Sequence, residues 1–182
     1  MSRQLPKLSD LHHNIETAFK NDDLNLLLNQ SPPDSWVKDH PFIKGVRFLP
    51  IEKVEFLLTR IFQKWRREVL WTKQLFNSVE AGVRLWVLDP TDGDWTFHDG
   101  VGAVGVQTDS GKAASDLSAI KQDAVMKAAP AAISYALKDA AECFGKIFGK
   151  DLNRKNTVEF TGAYEHVSPS QSQTQTLNTT DL

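Results

Sequence analysis

The chain has 182 residues and a hydrophobic share of 41%, which suit one domain with a core and additional ends. No run of about 18 apolar residues occurs, so no transmembrane helix is expected, and the N-terminus lacks the apolar block of a signal peptide. Cys143 is the only cysteine, which excludes an intrachain disulfide framework and a cysteine-based zinc site. We expect a cytoplasmic protein of a bacterium or of a phage-infected host, and a nuclear location stays open.

The formal net charge of −2 hides an uneven distribution of charge. Residues 1–43 hold 4 basic and 6 acidic side chains, residues 44–155 hold 17 and 14, and residues 156–182 hold none and 3. A mildly basic centre therefore lies between acidic ends. This is a weak indication of nucleic-acid binding, since strong binders usually have a clearly basic domain.

The composition divides the chain into an N-terminal helical segment (1–44), a core (45–155) and a polar tail (156–182). Apolar residues at 8, 11, 15 and 19 have helical spacing, and a second short helix is expected at 24–28 before the Pro-Pro pair near residue 32. The tail is rich in Ser, Gln and Thr from residue 168 onwards and is predicted to be disordered.

The core predicts an α+β fold that begins with a helix, continues as an antiparallel β-meander and ends with helices. Apolar spacing indicates a helix over 51–65, strands over roughly 66–73, 78–88 and 94–107, and helices over about 114–128 and 130–149. Pro130 either starts the last helix or kinks one long helix. Residues 89–94 form a hairpin turn in which Gly93 can take a positive φ.

The middle strand alternates between two faces. Apolar side chains share one face, and the other face carries Glu80, Arg84 and Trp86. Trp71, Trp86 and Trp95 lie on the predicted hairpin, where packing is the commoner role of a tryptophan. Trp86 is the most interesting of the three because it shares its face with Arg84.

Two glycine-rich stretches resemble nucleotide-binding loops. Gly100-Val-Gly-Ala-Val-Gly105 matches the dinucleotide pattern, but no helix begins at the glycines, which favours a strand whose missing side chains permit close packing. The stretch Gly105 to Lys112 has one residue too many between its glycines for a phosphate loop, and Ala113 replaces the hydroxyl needed for Mg²⁺. A nucleotide-dependent enzyme is therefore a minor alternative.

Acidic and histidine side chains give no metal or catalytic signature. Asp89, Asp92, Asp94 and Asp99 lack the spacing and closing Glu of a calcium loop, and turn chemistry explains most of them. The histidines have no metal-ligand spacing, and no nucleophile is placed beside the neighbours His98 and Asp99. We expect no metal, no cofactor and no catalytic site.

Cations on the first core helix give a clearer signal. Lys53, Arg60 and Lys64 follow at steps of seven and four residues, which at about 100° per residue form one stripe on the exposed face. Arg66 and Arg67 extend the stripe. Clustered cations beside aromatic side chains suit a track for phosphates and bases, although an ordinary solvated face is equally expected, because acidic residues also occur there.

The last helix has a small, apolar face and a polar face. Ile133, Leu137, Ala140, Phe144 and Phe148 form the expected buried stripe, and alanines allow a partner element to approach closely. Ser134, Lys138, Glu142 and Lys146 recur four residues apart on the polar face.

At this helix the chain resembles the Rad52 family of single-strand annealing proteins. The matching pattern comprises Ala136, Leu137, Lys138, Ala140, Phe144, Gly145 and Gly149. It is preceded by a similar Asp99-Gly-Val-Gly102 strand and hairpin. The helix at 51–65 and the strand after it are also similar, so the resemblance covers roughly residues 48–155.

The resemblance implies a β-β-β-α core assembled into rings or helical filaments, with single-stranded DNA in a basic groove and annealing without ATP. Lys138 matches a groove lysine of the family, and Lys53 aligns with a groove arginine. Asp139 and Glu142 stand where eukaryotic members carry basic residues. We therefore expect Lys53, Arg60, Lys64 and Arg67 to compensate.

The predicted DNA-binding residues are Lys53, Arg60, Lys64, Arg66, Arg67, Arg84, Lys138 and Lys146. The leading function is annealing of complementary single strands in recombination and repair. A protein that protects DNA ends or loads a recombinase on the same fold is the alternative. The tail could recruit a single-strand-binding protein or an exonuclease, although a solvated terminus is the more common role of such a segment.

Overall fold

The structure is a computed structural model that describes residues 14–40, 43–113 and 115–159. Over these residues it has three α-helices, α1 (Ile15–Leu28), α2 (Ile51–Phe62) and α3 (Gln122–Glu142), and five strands, β1 (Lys38–Asp39), β2 (Arg47–Phe48), β3 (Trp65–Leu75), β4 (Ser78–Leu88) and β5 (Trp95–Gly105). Short 3-10 helices occupy Asp34–Trp36, Leu117–Ala119 and Lys146–Phe148. The predicted α+β class is confirmed. None of the described helices is both long and apolar enough to cross a membrane.

The main sheet is the predicted antiparallel meander, in the order β3-β4-β5, and β1 pairs separately with β2. Its strands differ from the predicted ones only at their ends. The turn from β4 to β5 is closed by a hydrogen bond from the Gly93 amide to the Asp89 carbonyl, 2.9 Å long, and Gly93 has φ 81° as expected. Alternation along the strands was a reliable guide because one face of β4 is fully buried.

Two predicted helices near the N-terminus are one helix in the structure. α1 runs without a break from Ile15 to Leu28. Asn14 caps it by accepting the amide of Glu16 at 2.9 Å. The apolar positions 8 and 11 of the predicted first helix lie outside the described residues.

The first core helix ends earlier than its apolar pattern predicted. α2 stops at Phe62, and Gln63 follows with a positive φ of 60°, which the helix cannot continue. The chain then turns directly into β3, where the Leu88 amide donates to the Lys64 carbonyl at 3.0 Å. The stripe geometry drawn through Lys64 is therefore wrong, because Lys64 lies beyond the helix.

The predicted helices at 114–128 and 130–149 are also incorrect as two units. One helix, α3, runs through Pro130, which settles the alternative in favour of a single long helix. Its start is delayed to Gln122 because the preceding chain is held extended: Ile120 bridges to Thr108, and the Lys121 amide donates to the Gln107 carbonyl at 3.0 Å. Tertiary pairing overrides helical spacing there.

Gly145 and Gly149 allow the chain to change direction after the end of α3. A Cβ on Gly145 would collide with the backbone carbonyl of Leu28, so α1 can pass close to this point only because the side chain is missing. The 3-10 helix Lys146–Phe148 follows, and Gly149 ends it with φ 103°. Ile147 and Phe148 are fully buried within this turn.

α3 packs on β4 and β5 through a stripe of alanines. Ala132, Ala136 and Ala140 are fully buried, and they lie over the glycines of β5. A Cβ on Gly100 or on Gly102 would collide with α3 backbone atoms, so backbone meets backbone at both positions. The close-packing interpretation of the glycine strand is confirmed.

One hydrophobic core joins α2, the inner face of β4 and α3. Its largest fully buried side chains are Leu49, Val54, Leu57, Leu58, Val83, Leu85, Val87, Leu137, Ile147 and Phe148. Leu28 and Trp36, from the segment before residue 45, belong to the same core. The sequence-based boundary at residue 44 therefore crosses a shared core, and β1 and β2 pair across it.

Candidate nucleic-acid interface

A pocket of about 420 Å³ opens between β2, the start of α2 and the middle of α3. We call it the α3 groove. It is lined by Lys38, Phe48, Pro50, Ile51, Glu52, Ala131, Ser134, Tyr135 and Lys138. Cations and aromatic rings therefore share one concave surface, as a single-stranded polyanion would require.

Lys138 is the central cation of the α3 groove. Its Nζ lies 4.7 Å from the centre of the Phe48 ring and 5.8 Å from that of Tyr135. Burial lowers the pKa of Lys138, and the carboxylates of Glu142 and Glu52 oppose that shift. The aromatic rings stabilise an ammonium that has lost part of its water.

Lys53 is also held against an aromatic ring. Its Nζ lies 4.7 Å from the centre of the Trp36 ring. Trp36 is buried and contacts Phe56 edge to face, with ring centres 5.7 Å apart. The indole thus fixes the lysine on the exposed side of α2.

The remaining cations of the predicted stripe do not lie on one helix face. Arg60 is exposed in the last turn of α2, and Lys64 is exposed in the connection that follows. Arg66 and Arg67 are successive residues of β3 and point to opposite faces of the sheet, since Arg66 pairs with Trp86 and Arg67 pairs with Leu85.

The face of the sheet away from α3 carries a second cationic and aromatic cluster, which we call the sheet platform. It consists of Arg66, Arg84, Trp86, Trp95 and Phe97, each in cation–π or ring contact with at least one other member. The sequence identified the first three. Trp95 and Phe97 were missed as a pair, although their two-residue spacing already placed them on one face of the strand.

Arg84 is held in a bidentate ion pair. Its Nε and one terminal nitrogen donate to the two carboxylate oxygens of Asp99 at 2.7 and 2.8 Å. The hydrogen bond from Arg84 lowers the pKa of Asp99 and keeps the pair ionised. Arg84 is therefore an oriented guanidinium whose charge is already balanced.

Lys146 does not lie on the α3 face that helical spacing predicted. It follows the end of α3, and its side chain is mostly buried. Its Nζ lies 3.5 Å from a carboxylate oxygen of Asp151 and donates to the Val158 carbonyl. A contact with phosphate would require this pair to break.

The two acidic residues of α3 near Lys138, Asp139 and Glu142, have different surroundings. The Asp139 carboxylate accepts the Val101 amide of β5 at 3.0 Å, so it binds the sheet edge. Burial raises the pKa of Glu142, and the charge of Asp139 raises it further. Glu142 and Glu52 are the acidic side chains that lower the positive charge available near Lys138.

The histidine and acidic residues that gave no metal or catalytic signature do not line the α3 groove. His98 and Asp99 point to opposite faces of β5: the His98 ring lies 4.5 Å from the Phe144 ring, and Asp99 pairs with Arg84. Asp89 and Asp92 accept the amides of Thr91 and Asp94, as turn chemistry predicts. Within the described ranges, no group of acidic, His or Cys side chains could hold a metal ion.

Comparison with known proteins agrees with this architecture. No curated protein matches the chain. A family model, described as the Rad52/22 family of double-strand break repair proteins, matches residues 20–169. Because that match spans more than half of the sequence, the chain belongs to the Rad52/22 family, whose general activity is DNA binding and strand annealing in repair and recombination.

Proposed function

We propose that this protein binds single-stranded DNA in the α3 groove and anneals complementary strands without ATP, within the cytoplasm of a bacterium or an infected cell. The observation that carries the proposal is the position of Lys138, a half-buried ammonium between Phe48 and Tyr135. A cation desolvated in this way has more to gain from a phosphate than a fully hydrated one.

Annealing sets a physical requirement that this groove meets. Phosphate and sugar contacts carry no sequence information, so they can hold any strand and leave the base edges free to pair. Strong base readout would obstruct pairing. The α3 groove is lined by two lysines, Lys38 and Lys138, and by the rings of Phe48 and Tyr135, which supports backbone contact with adaptable stacking. The charge of Lys38 is partly balanced, because its Nζ lies 3.9 Å from a carboxylate oxygen of Glu52.

Self-assembly into a ring or filament is part of the proposal. One small domain covers few nucleotides, and repeating it would join short grooves into a continuous track by multivalency. Exposed apolar side chains are available for such contacts at the end of the β3–β4 hairpin, where Leu75 is 49% and Phe76 86% exposed. Mass photometry with and without an oligonucleotide tests the assembly.

The annealing claim is tested by mixing two complementary oligonucleotides with the protein, in the presence and absence of ATP. We expect duplex to form faster than in buffer and at the same rate in both conditions. A rate equal to that in buffer would refute annealing, and binding without annealing would favour end protection or recombinase loading.

The role of Lys138 is tested by Lys138→Gln, with Lys127→Gln as the matched control on the same helix. Lys127 is exposed and forms an ordinary surface pair with Asp123 at 2.7 Å. One lost phosphate contact lowers the slope of log affinity against log salt by about 0.7 for a single strand. We expect this change in the Lys138 variant, and an equal effect in both variants would contradict a specific role of the groove.

We further propose that Lys53, Arg60, Lys64 and Arg67 compensate for the acidic residues at 139 and 142. Lys64 lies off the α2 face, so its contribution does not rest on a helical stripe. Arg60→Ala and Lys64→Ala should each weaken binding and lower the salt slope. Wild-type affinity and an unchanged slope in both variants would remove these two residues from the DNA path.

A further inference from the structure

We propose that the sheet platform is a nucleobase-stacking site, separate from the α3 groove, that holds a few bases of a single strand on the opposite side of the sheet. The proposal takes its ligand class from the proposed function and adds a second site to it. Five side chains that the groove does not use carry the argument.

The aromatic rings of the sheet platform lie together on one face of the sheet. Arg66, Trp86 and Phe97 lie opposite one another on the three strands of the sheet. The Trp86 and Phe97 rings are 4.5 Å apart at their centres and tilted by 48°. Trp95 lies two residues before Phe97 on the same face, so the rings form one connected patch.

Two rings of the sheet platform are exposed to solvent. Trp95 is 46% and Phe97 41% exposed, whereas four apolar side chains on the other face of β4 are fully buried: Ala81, Val83, Leu85 and Val87. The core is therefore complete without these two rings. Single exposed aromatics are ordinary, but adjacent ones on a strand face are typical of a binding surface.

The guanidinium groups of the sheet platform add positive charge beside the rings. The Arg66 guanidinium lies 5.2 Å from the Trp86 ring centre and 5.6 Å from that of Trp95. No ion pair of Arg66 occurs among the described residues. Arg84, whose charge Asp99 balances, lies 4.1 Å from the Phe97 ring. The platform thus joins one unpaired cation for a phosphate to several π-faces for bases, the combination used for sequence-independent binding of single strands.

Acidic side chains mark the end of the sheet platform. The neighbouring row of the sheet carries Glu68 and Asp99 on the same face. Arg84 and Asp99 balance each other in this row, so the carboxylate of Glu68 leaves it with a net negative charge. That charge would repel a phosphate backbone, so the platform ends there and its ligand is short. The fold also separates the two surfaces, because α3 with Lys138 packs on the other side of the sheet.

The experiment compares two ligands of equal length, an oligothymidine and an abasic oligomer that keeps the phosphates and lacks the bases. We expect the wild-type protein to prefer the oligothymidine. In Trp95→Ala/Phe97→Ala the affinity for oligothymidine should fall roughly five-fold or more, with no change for the abasic oligomer. Phe97→Leu, which keeps an apolar side chain but removes the π-face, should lose part of the preference while the urea midpoint of unfolding stays unchanged.

Val101→Ala is the matched control, since Val101 is an exposed apolar side chain on the same face of β5, outside the platform. It should keep the wild-type preference, and Lys138→Gln should weaken both ligands alike. Equal wild-type affinity for the two ligands would overturn the platform but leave phosphate binding in the groove, and hence the proposed function, intact. A platform variant with a smaller assembly mass and an unchanged base preference would assign this face to a second copy and also overturn the proposal.

Discussion

Two glycines of β5 determine how closely α3 lies on the sheet. A Cβ at Gly100 would meet the Ala136 carbonyl and the Ala140 amide of α3, and these backbone atoms cannot rotate away. Gly100→Ala should therefore lower the free energy of unfolding by about 1–3 kcal/mol, the usual effect of overpacking. Urea denaturation followed by circular dichroism measures this change.

Gly105→Ala in the same strand provides the control. Nothing lies within 4 Å of a Cβ at Gly105, and its φ lies outside the left-handed region. Alanine there should be neutral or stabilise by up to about 1 kcal/mol, because it restricts the unfolded chain. Equal losses in the two variants would show that strand propensity, and not the contact with α3, is responsible.

Glu142 should make stability depend on pH in a defined direction. Burial raises the pKa of its carboxyl above 4.5. Below pH 4.5 the group is neutral in both states, and as pH rises through its raised pKa the folded state becomes less stable. Glu142→Gln should therefore stabilise the protein at neutral pH, and this gain should disappear below about pH 4.5.

Denaturation curves of the Glu142→Gln variant and the wild-type protein across this range test the prediction. A gain that stays constant with pH would mean that titration of this carboxyl has no part in it.

The identity of single residues was predictable where alternation or a motif fixed them. Arg84 and Trp86 lie on the expected face of β4, and Lys138 lies in the groove. The role of Asp139 was not predictable, because its acceptor function depends on a strand that is 38 residues away in the sequence. Local spacing carries no information about such a contact.

At the scale of elements, Pro130 is the least expected feature of α3. The helix stays continuous through it, although proline lacks the amide that the i−4 carbonyl would accept. Pro130 is exposed, so alanine fits without collision. Pro130→Ala should raise the free energy of unfolding by about 1–3 kcal/mol, measured by urea denaturation. A loss of stability would indicate that the proline shapes the packing of α3 on β5.

The strands were predicted closely and the helix ends were not, for a physical reason. Burial of one face of β4 imposes a two-residue period that the sequence displays directly. The ends of α2 and α3 depend on Gln63 with its positive φ and on the pairing of Ile120 with Thr108. Apolar spacing continues past both points, so it overestimates the helices.

At the scale of the whole molecule, the protein combines a family fold with an unusual distribution of charge. Lys138 lines the α3 groove, and the acidic Asp139 and Glu142 follow it on α3. Exposed cations on α2 and β3 spread the positive charge over a wider surface. The architecture was therefore easier to predict than the DNA path.

The hydrogen bond between Asp139 and Val101 bears on how copies can join. It occupies an outward amide of β5, an edge strand, so a foreign strand must first displace the carboxylate. No described side chain accepts an outward amide of β3, so the two sheet edges are unequal. Pairing of equal β3 edges would give a closed two-fold dimer, whereas a ring needs unlike surfaces to meet.

The carboxylate of Asp139 would then prevent strands of other molecules from pairing with the β5 edge. Asp139→Ala should increase light scattering on storage, and Asp139→Asn, which keeps an acceptor oxygen, should not. If solutions of both variants stay clear, the Asp139 carboxylate is not needed to prevent this pairing. If the alanine variant alone becomes turbid, the contact of Asp139 with the β5 edge is what keeps the assembly finite.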